Sequence, residues 1–286
     1  TLAREAEHGQ HHWLLGYADH GAWLGSGRSL FVDGEVLVML GARRMVRDDD
    51  GEWSAETQRR ADAVVDNLGS AGPLPLAESY PDEGWVFCHT MALLGLRMSE
   101  ELDGEDHHDT IQAFTAYARG ELVHRETGLL VSEFTMRGAV QDGPEGSSLW
   151  FTLTALRVLD PTFGAAQYAL ARAQLGRSLL GMGYAKEWPE GYENTADVDS
   201  GPIVPILHAS ASSSGLAIAA AAAFDDTQWH GQLVDALGAA EAVMAVDPHL
   251  AAVADNPLGQ TVVLWGQGFG PLWARLLGGE AQTTLR

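Results

Sequence analysis

Two acids, Asp33 and Glu35, stand two residues apart at the mouth of an apolar stretch with no further charge before Arg43. A carboxyl group carried into an apolar helix loses water. Its ionised form is then disfavoured, and it becomes a usable proton donor or acceptor near neutral pH. The ordinary alternative is an acid in the first turn of a helix that satisfies free N–H groups and the helix dipole. A second acidic pair, Asp197 and Asp199, lies in ADVDSGP. In an extended loop these side chains point to one side, which suits catalysis, a turn or a cation site; calcium wants more oxygen ligands in a row than this loop offers. Cys88 is the only cysteine and follows Asp82, Glu83 and Trp85. It is either a small buried hydrophobe or, with a lowered pKa, a reactive group. Glu145, in DGPEGSS, is a further loop acid. Phe31, Tyr80, Trp85, His89, Trp150, Trp188 and Tyr192 supply rings and polar edges that suit the lining of a substrate pocket, with Asp82 and Asp197 beside them.

These residues fall on a recurring grammar: a loop of acids, glycine and aromatics, then a helix with almost no polar face. The pattern covers Leu30–Val46, Glu78–Leu96, Asp142–Leu159, Asp197–Ala223 and Asp255–Leu277. Starts roughly 45 to 65 residues apart are the spacing of a repeated helical hairpin. Between them run amphipathic segments, Ser54–Leu68, Asp106–Leu122, Phe163–Leu180 and Thr227–Val246. Amphipathic helices belong on an outer layer and all-round apolar ones on an inner layer. The expected fold is therefore all-α: an α/α toroid of five to six helical hairpins, similar to an (α/α)6 barrel. A small β-hairpin is expected near Leu129–Val140, and Met182–Pro205 reads as a long irregular segment. No linker-like tract divides the chain, so residues 1–286 read as one domain, with room for a helix pair or leader ahead of Thr1.

Composition narrows the partners. The net charge is −22, with Lys186 as the single lysine among 17 basic residues. Such a surface repels nucleic acid and anionic membranes. No uninterrupted run of 18 apolar residues is present, so no membrane span is expected. One cysteine excludes an intrachain disulfide and thiolate-rich metal sites. His8, His11 and His12 have the spacing of one helix face, but no carboxylate or cysteine completes a metal motif, and no metal is assigned. No phosphate loop, dinucleotide fingerprint or zinc motif occurs. A homo-oligomer is compatible with the sequence. Location is left open between the cytoplasm and export after loss of a leader.

Two stretches, DGEVLVMLGARRMVRDDDG (Asp33–Gly51) and PDEGWVFCHT (Pro81–Thr90), resemble the linalool dehydratase/isomerase family, a metal-free α/α-barrel group acting on small terpene alcohols. The resemblance places Cys88 on an active-site cysteine, Glu35 on the family's histidine and Ser79 on a second cysteine nine residues upstream. It covers about 70 residues. ADVDSGP is also similar to the DxDD acid motif of class II terpene cyclases, with Ser200 in place of the final Asp.

The leading expectation is a cofactor-independent lyase or isomerase that uses carboxylate acid/base chemistry on a small apolar, terpenoid-like alcohol or alkene. Glu35, Asp33, Asp199, Cys88 and Glu145 are its candidate catalytic groups. A carbohydrate-active enzyme, glycosidase or polysaccharide lyase, is the first alternative, because paired acids with aromatics suit sugars. A non-catalytic binding module is the second. Fold alone does not choose among them.

Overall fold

The computed structural model describes residues 2–9, 23–47, 51–194, 203–204, 206–246, 261, 264–265 and 272–278. It is mostly helical, with two small antiparallel sheets. The chain forms two compact units. The first comprises Thr1–Val123 and Leu130–Gly143, and the second His124–Leu129 and Pro144–Arg286.

In the first unit, a short helix α1 (Leu2–His8) precedes two hairpins: α2 (Leu30–Val46) with α3 (Ser54–Asn67), and α4 (Val86–Asp103) with α5 (His108–Glu121). Ser29 caps α2, accepting from the Val32 N–H at 3.3 Å while donating to the Ser79 carbonyl at 2.7 Å. One side chain thus fixes both the start of α2 and the turn leading into α4. Helix α4 stops at Gly104, whose left-handed φ of 71° suits a residue without Cβ. The apolar pair α2 and α4 forms the core. They approach so closely that a Cβ on Gly34 would lie 2.8 Å from the Ala92 Cβ and 2.9 Å from its Cα. In return, Gly95 leaves room for Leu37. Gly34→Val is expected to cost about 1–3 kcal/mol through overpacking. The urea midpoint should fall accordingly; an unchanged midpoint would mean that the two helices can separate without penalty.

The second unit repeats the scheme with α6 (Gly146–Leu159) and α7 (Pro161–Gln174), then α8 (Ala211–Ala223) and α9 (Thr227–Val246). Here α6 and α8 are the apolar pair. Asp160 caps α7, accepting from Phe163 N–H at 3.0 Å, with Pro161 at the first helical position.

The sequence boundaries hold to within a few residues for these eight hairpin helices, apart from α7 and from the end of α4, which runs past Leu96 to Asp103. The expected hairpin near Leu129–Val140 is β2 (Glu133–Phe134) with β3 (Val140–Asp142), joined to β1 (Gly84–Trp85) in the order β1-β2-β3. The stretch from Phe163 requires correction: its helix ends at Gln174. Residues 176–186, split in the sequence reading between that helix and an irregular segment, form a regular hairpin instead. Its strands are β4 (Gly176–Leu179) and β5 (Met182–Lys186), in a sheet ordered β4-β5-β7-β6 with β6 (Ile203–Val204) and β7 (Ala209–Ser210). Its two turn residues, Leu180 (φ 52°) and Gly181 (φ 83°), both adopt positive φ, as a type I′ turn demands. Leucine in the place normally taken by Asn, Asp or Gly hid that turn.

Candidate active site

The turn before α4 is built around a buried carboxylate. Glu78 accepts from the N–H groups of Leu24 (2.9 Å), Gly25 (2.8 Å) and Asp82 (2.8 Å). It ties the loop that enters α2 to the turn that enters α4. The Glu83 carbonyl accepts from Ser79 and Tyr80 N–H, closing the turn over the first residues of α4.

Cys88 lies beneath this turn, 3% exposed and hydrogen-bonded to the Ser79 hydroxyl. The two positions nine residues apart thus meet in space. Burial, and after it the charges of Glu35 and Glu83, push the thiol well above the ordinary cysteine range; the Ser79 hydrogen bond works the other way. A neutral thiol is a poor nucleophile. Native protein should therefore resist iodoacetamide and become alkylated only on unfolding. Rapid labelling of Cys88 in the native state would refute this.

Glu35 is different in kind. Its side chain is partly exposed as a whole, but Oε1 is sealed from solvent and has no hydrogen-bond partner among the described residues. Burial pushes its carboxyl up to about 7. One turn before it on α2 stands Phe31, whose ring is 6.2 Å from Phe87 and 6.1 Å from Tyr80, with Trp23 packed on the same patch around Val32. Glu83, on the far side of the turn, accepts a hydrogen bond from Trp85 Nε1. Glu35 and Glu83 thus act on one buried thiol from two different elements.

Asp33 is fully buried and engaged. Arg28 holds it with two bonds (2.9 and 2.6 Å), and Arg60 reaches it at 2.6 Å. Arg60, itself buried, also binds Glu56 and Glu5. That pairing suits an anchor between helices. Asp82 is exposed in a left-handed turn (φ 56°). His89 is buried, its Nδ1–H donating to the Trp85 carbonyl at 2.7 Å and its Nε2 accepting from Ala77 N–H at 3.0 Å. Burial pushes it down to about 4. Because the unfolded chain takes up this proton first, His89 costs stability as pH falls from 6.5 through about 4.

In the second unit, Trp150 is a core residue, fully buried against Trp229 at 5.3 Å, with Nε1 donating to Ser213 Oγ at 3.0 Å. Glu145 is buried at the N-cap of α6. Trp188 is buried, and Tyr192 is half-exposed, bonded to Glu126 and set edge-on to His124. Asp197, Asp199, His11 and His12 lie outside the described residues. Among the described residues, no three His, Cys, Asp or Glu side chains group as metal ligands, and no helix is long and apolar enough to cross a membrane.

Glu83 and Phe87 were not singled out from sequence, where Asp82 took the acid's place. The clue was available: Glu83 and Trp85 are two apart at a strand, so they share a face.

No family model and no curated protein matches the sequence. Among solved structures, the chain is similar to the cellobiose 2-epimerase of Bacillus thermoamylovorans, an α/α-barrel enzyme, with a TM-score of 0.56 and 11% identity. The match covers 78% of this chain and 63% of that one, so the chain spans less than two thirds of its neighbour's length. The likeness establishes the α/α-toroid fold class. The resemblance to linalool dehydratase/isomerase has no counterpart in these comparisons beyond that shared architecture.

Proposed function

We propose that the chain is a cofactor-independent isomerase or lyase in which Glu35 moves protons on a small, largely apolar alcohol or alkene. The observation that carries this reading is the buried Oε1 of Glu35, without a partner among the described residues, on a carboxyl that burial pushes up to about 7 and one helical turn from Phe31. Such a group holds its proton yet gives it up readily at neutral pH. In a dehydration, protonated Glu35 would donate to the substrate hydroxyl, which leaves as water. The carboxylate would then recover a proton from the adjacent carbon as the alkene forms. Phe31 and Phe87 would exclude bulk water and pack on the hydrocarbon part.

A carbohydrate isomerase is the second reading. It is favoured by the α/α-barrel neighbour whose name gives an epimerase acting on cellobiose. Incubation in D2O with isoprenoid alcohols and, separately, cellobiose separates the two. Solvent deuterium at carbon in the alcohol series, strongly reduced in Glu35→Gln, supports the first reading. Deuterium in cellobiose selects the second. No exchange in either series removes Glu35-driven proton transfer on both substrate classes.

A further inference from the structure

Helix α2 has a second face that the Glu35 reading does not use. On one side Gly34, Leu37 and Gly41 meet Ala92, Gly95 and Met98 of α4. On the opposite side Val36, Met39, Leu40 and Arg43 share a stripe, spaced as i, i+3, i+4 and i+7. That stripe lines a cleft of about 360 Å³, a volume within the range of small-molecule sites. Leu2 and Ala3 of α1 and Trp53, at the N-cap of α3, complete the lining. Val36 and Leu40 are buried, Met39 is 51% exposed, and Ala3 and Arg43 are exposed, so the lining grades from core to solvent. Helix α1 buries none of its residues, and Glu5 ties it to Arg60.

The chemistry of the lining is one-sided. The chain carries a net charge of −22, yet no residue of the lining is an acid and one, Arg43, is a cation. Its guanidinium lies 5.9 Å from the centroid of the Trp53 ring, which places the charge beside the apolar wall. A neutral hydrocarbon would gain nothing from the guanidinium, and a cation would be repelled by it. A molecule with an apolar body and one anionic head gains from both, since a guanidinium pairs with a carboxylate through two parallel hydrogen bonds.

We propose that this cleft binds a small amphipathic anion, of the kind a medium-chain carboxylate represents. The hydrocarbon lies along Val36, Met39 and Leu40 against α1, and the carboxylate pairs with Arg43. The lining includes neither Glu35 nor Phe31. The cleft is therefore a second site, and it stands independently of the isomerase or lyase reading.

The test is an NMR titration of the full chain labelled at the methionine methyls, with the Met39 signal assigned by its loss in Met39→Leu. The probes are decanoate, decanol and decyltrimethylammonium, each below the concentration at which it forms micelles. A saturable shift of the Met39 signal with decanoate is expected, with decanol weaker and the cation weakest. Affinity for decanoate measured by calorimetry should fall about tenfold or more in Arg43→Gln, the scale of a hydrogen bond to a charged group, while the affinity for decanol holds. Ala3→Trp, at an exposed position of α1, should fill the cleft and abolish binding of both; its melting temperature shows whether the fold is kept, and Arg43→Gln carries the test if it is not. Phe87→Ala, in the aromatic patch assigned to the substrate, should bind decanoate as the native chain does, which separates this site from the catalytic one. A Met39 signal unmoved by decanoate would overturn the proposal. So would decanol or the cation binding as tightly as decanoate, or an affinity unchanged in Arg43→Gln.

Discussion

Glu35→Gln should lower turnover by roughly 10²–10⁴-fold, the usual scale for removing a general acid or base, while leaving the fold intact. Glutamine matches the volume of glutamate but cannot carry the proton. The same substitution should raise stability in alkaline solution. Folded Glu35 binds its proton more tightly than the unfolded chain does, titrating at about 7 rather than 4.5. Its favourable contribution is complete below 4.5 and is lost as pH rises through about 7. Glutamine never ionises, so the variant should gain up to about 3 kcal/mol over the native protein above that range and little in acid. Activity of the native protein should show an ionisation near 7 that the variant lacks. Opposite changes in rate and alkaline stability are what a functional buried acid predicts and a structural one does not. Near-normal turnover by the variant on its true substrate would remove Glu35 from the mechanism, leaving Asp199 as the next candidate. Cys88→Ser should hurt far less, since the thiol is held neutral and its upstream neighbour is already a serine.

Arg60→Ala should be the most destabilising single change in the first unit, by about 3–5 kcal/mol. That is the cost of removing one partner from a buried ionic cluster. The guanidinium joins Asp33 of α2, Glu56 of α3 and Glu5 of α1, and neither Arg60 nor Asp33 has any exposed side-chain surface. Its loss leaves Asp33 with Arg28 alone, Glu56 with Arg59 alone, and Glu5 without this guanidinium. Chemical denaturation of Arg60→Ala, Asp33→Asn and the double variant would give the coupling. If Asp33→Asn recovers none of the loss, the cluster is not acting as a unit.

The helices were legible because α2, α4, α6 and α8 are apolar on nearly every face and their partners are not. That contrast survives in the sequence whatever the tertiary detail. Glu35 was legible for the same reason: an acid among Val36, Leu37 and Val38 has little water to face. Asp33 looked equivalent, and sequence could not tell them apart. What separates them is Arg28 and Arg60, 5 and 27 positions away, which together hold Asp33, whereas Glu35 Oε1 has no partner among the described residues. Glu187, whose carboxylate accepts from Ser147 N–H at the start of α6, was invisible for a related reason. Its meaning depends on Ser147, 40 residues upstream, and on a hairpin whose turn carries leucine where the turn-forming residues usually stand.

The close seam between α2 and α4 limits how this site could acquire new specificity. With Gly34 against Ala92 and Gly95 against Leu37, neither helix backbone has slack to shift, so mutations buried along that seam change stability before they change selectivity. The adjustable positions are the side chains that project beyond it, Phe31 and Phe87 above all. On the proposed reading, shortening either ring would open the aromatic patch that begins one helical turn before Glu35. Libraries aimed at bulkier substrates should therefore randomise these two aromatics and hold the glycines fixed.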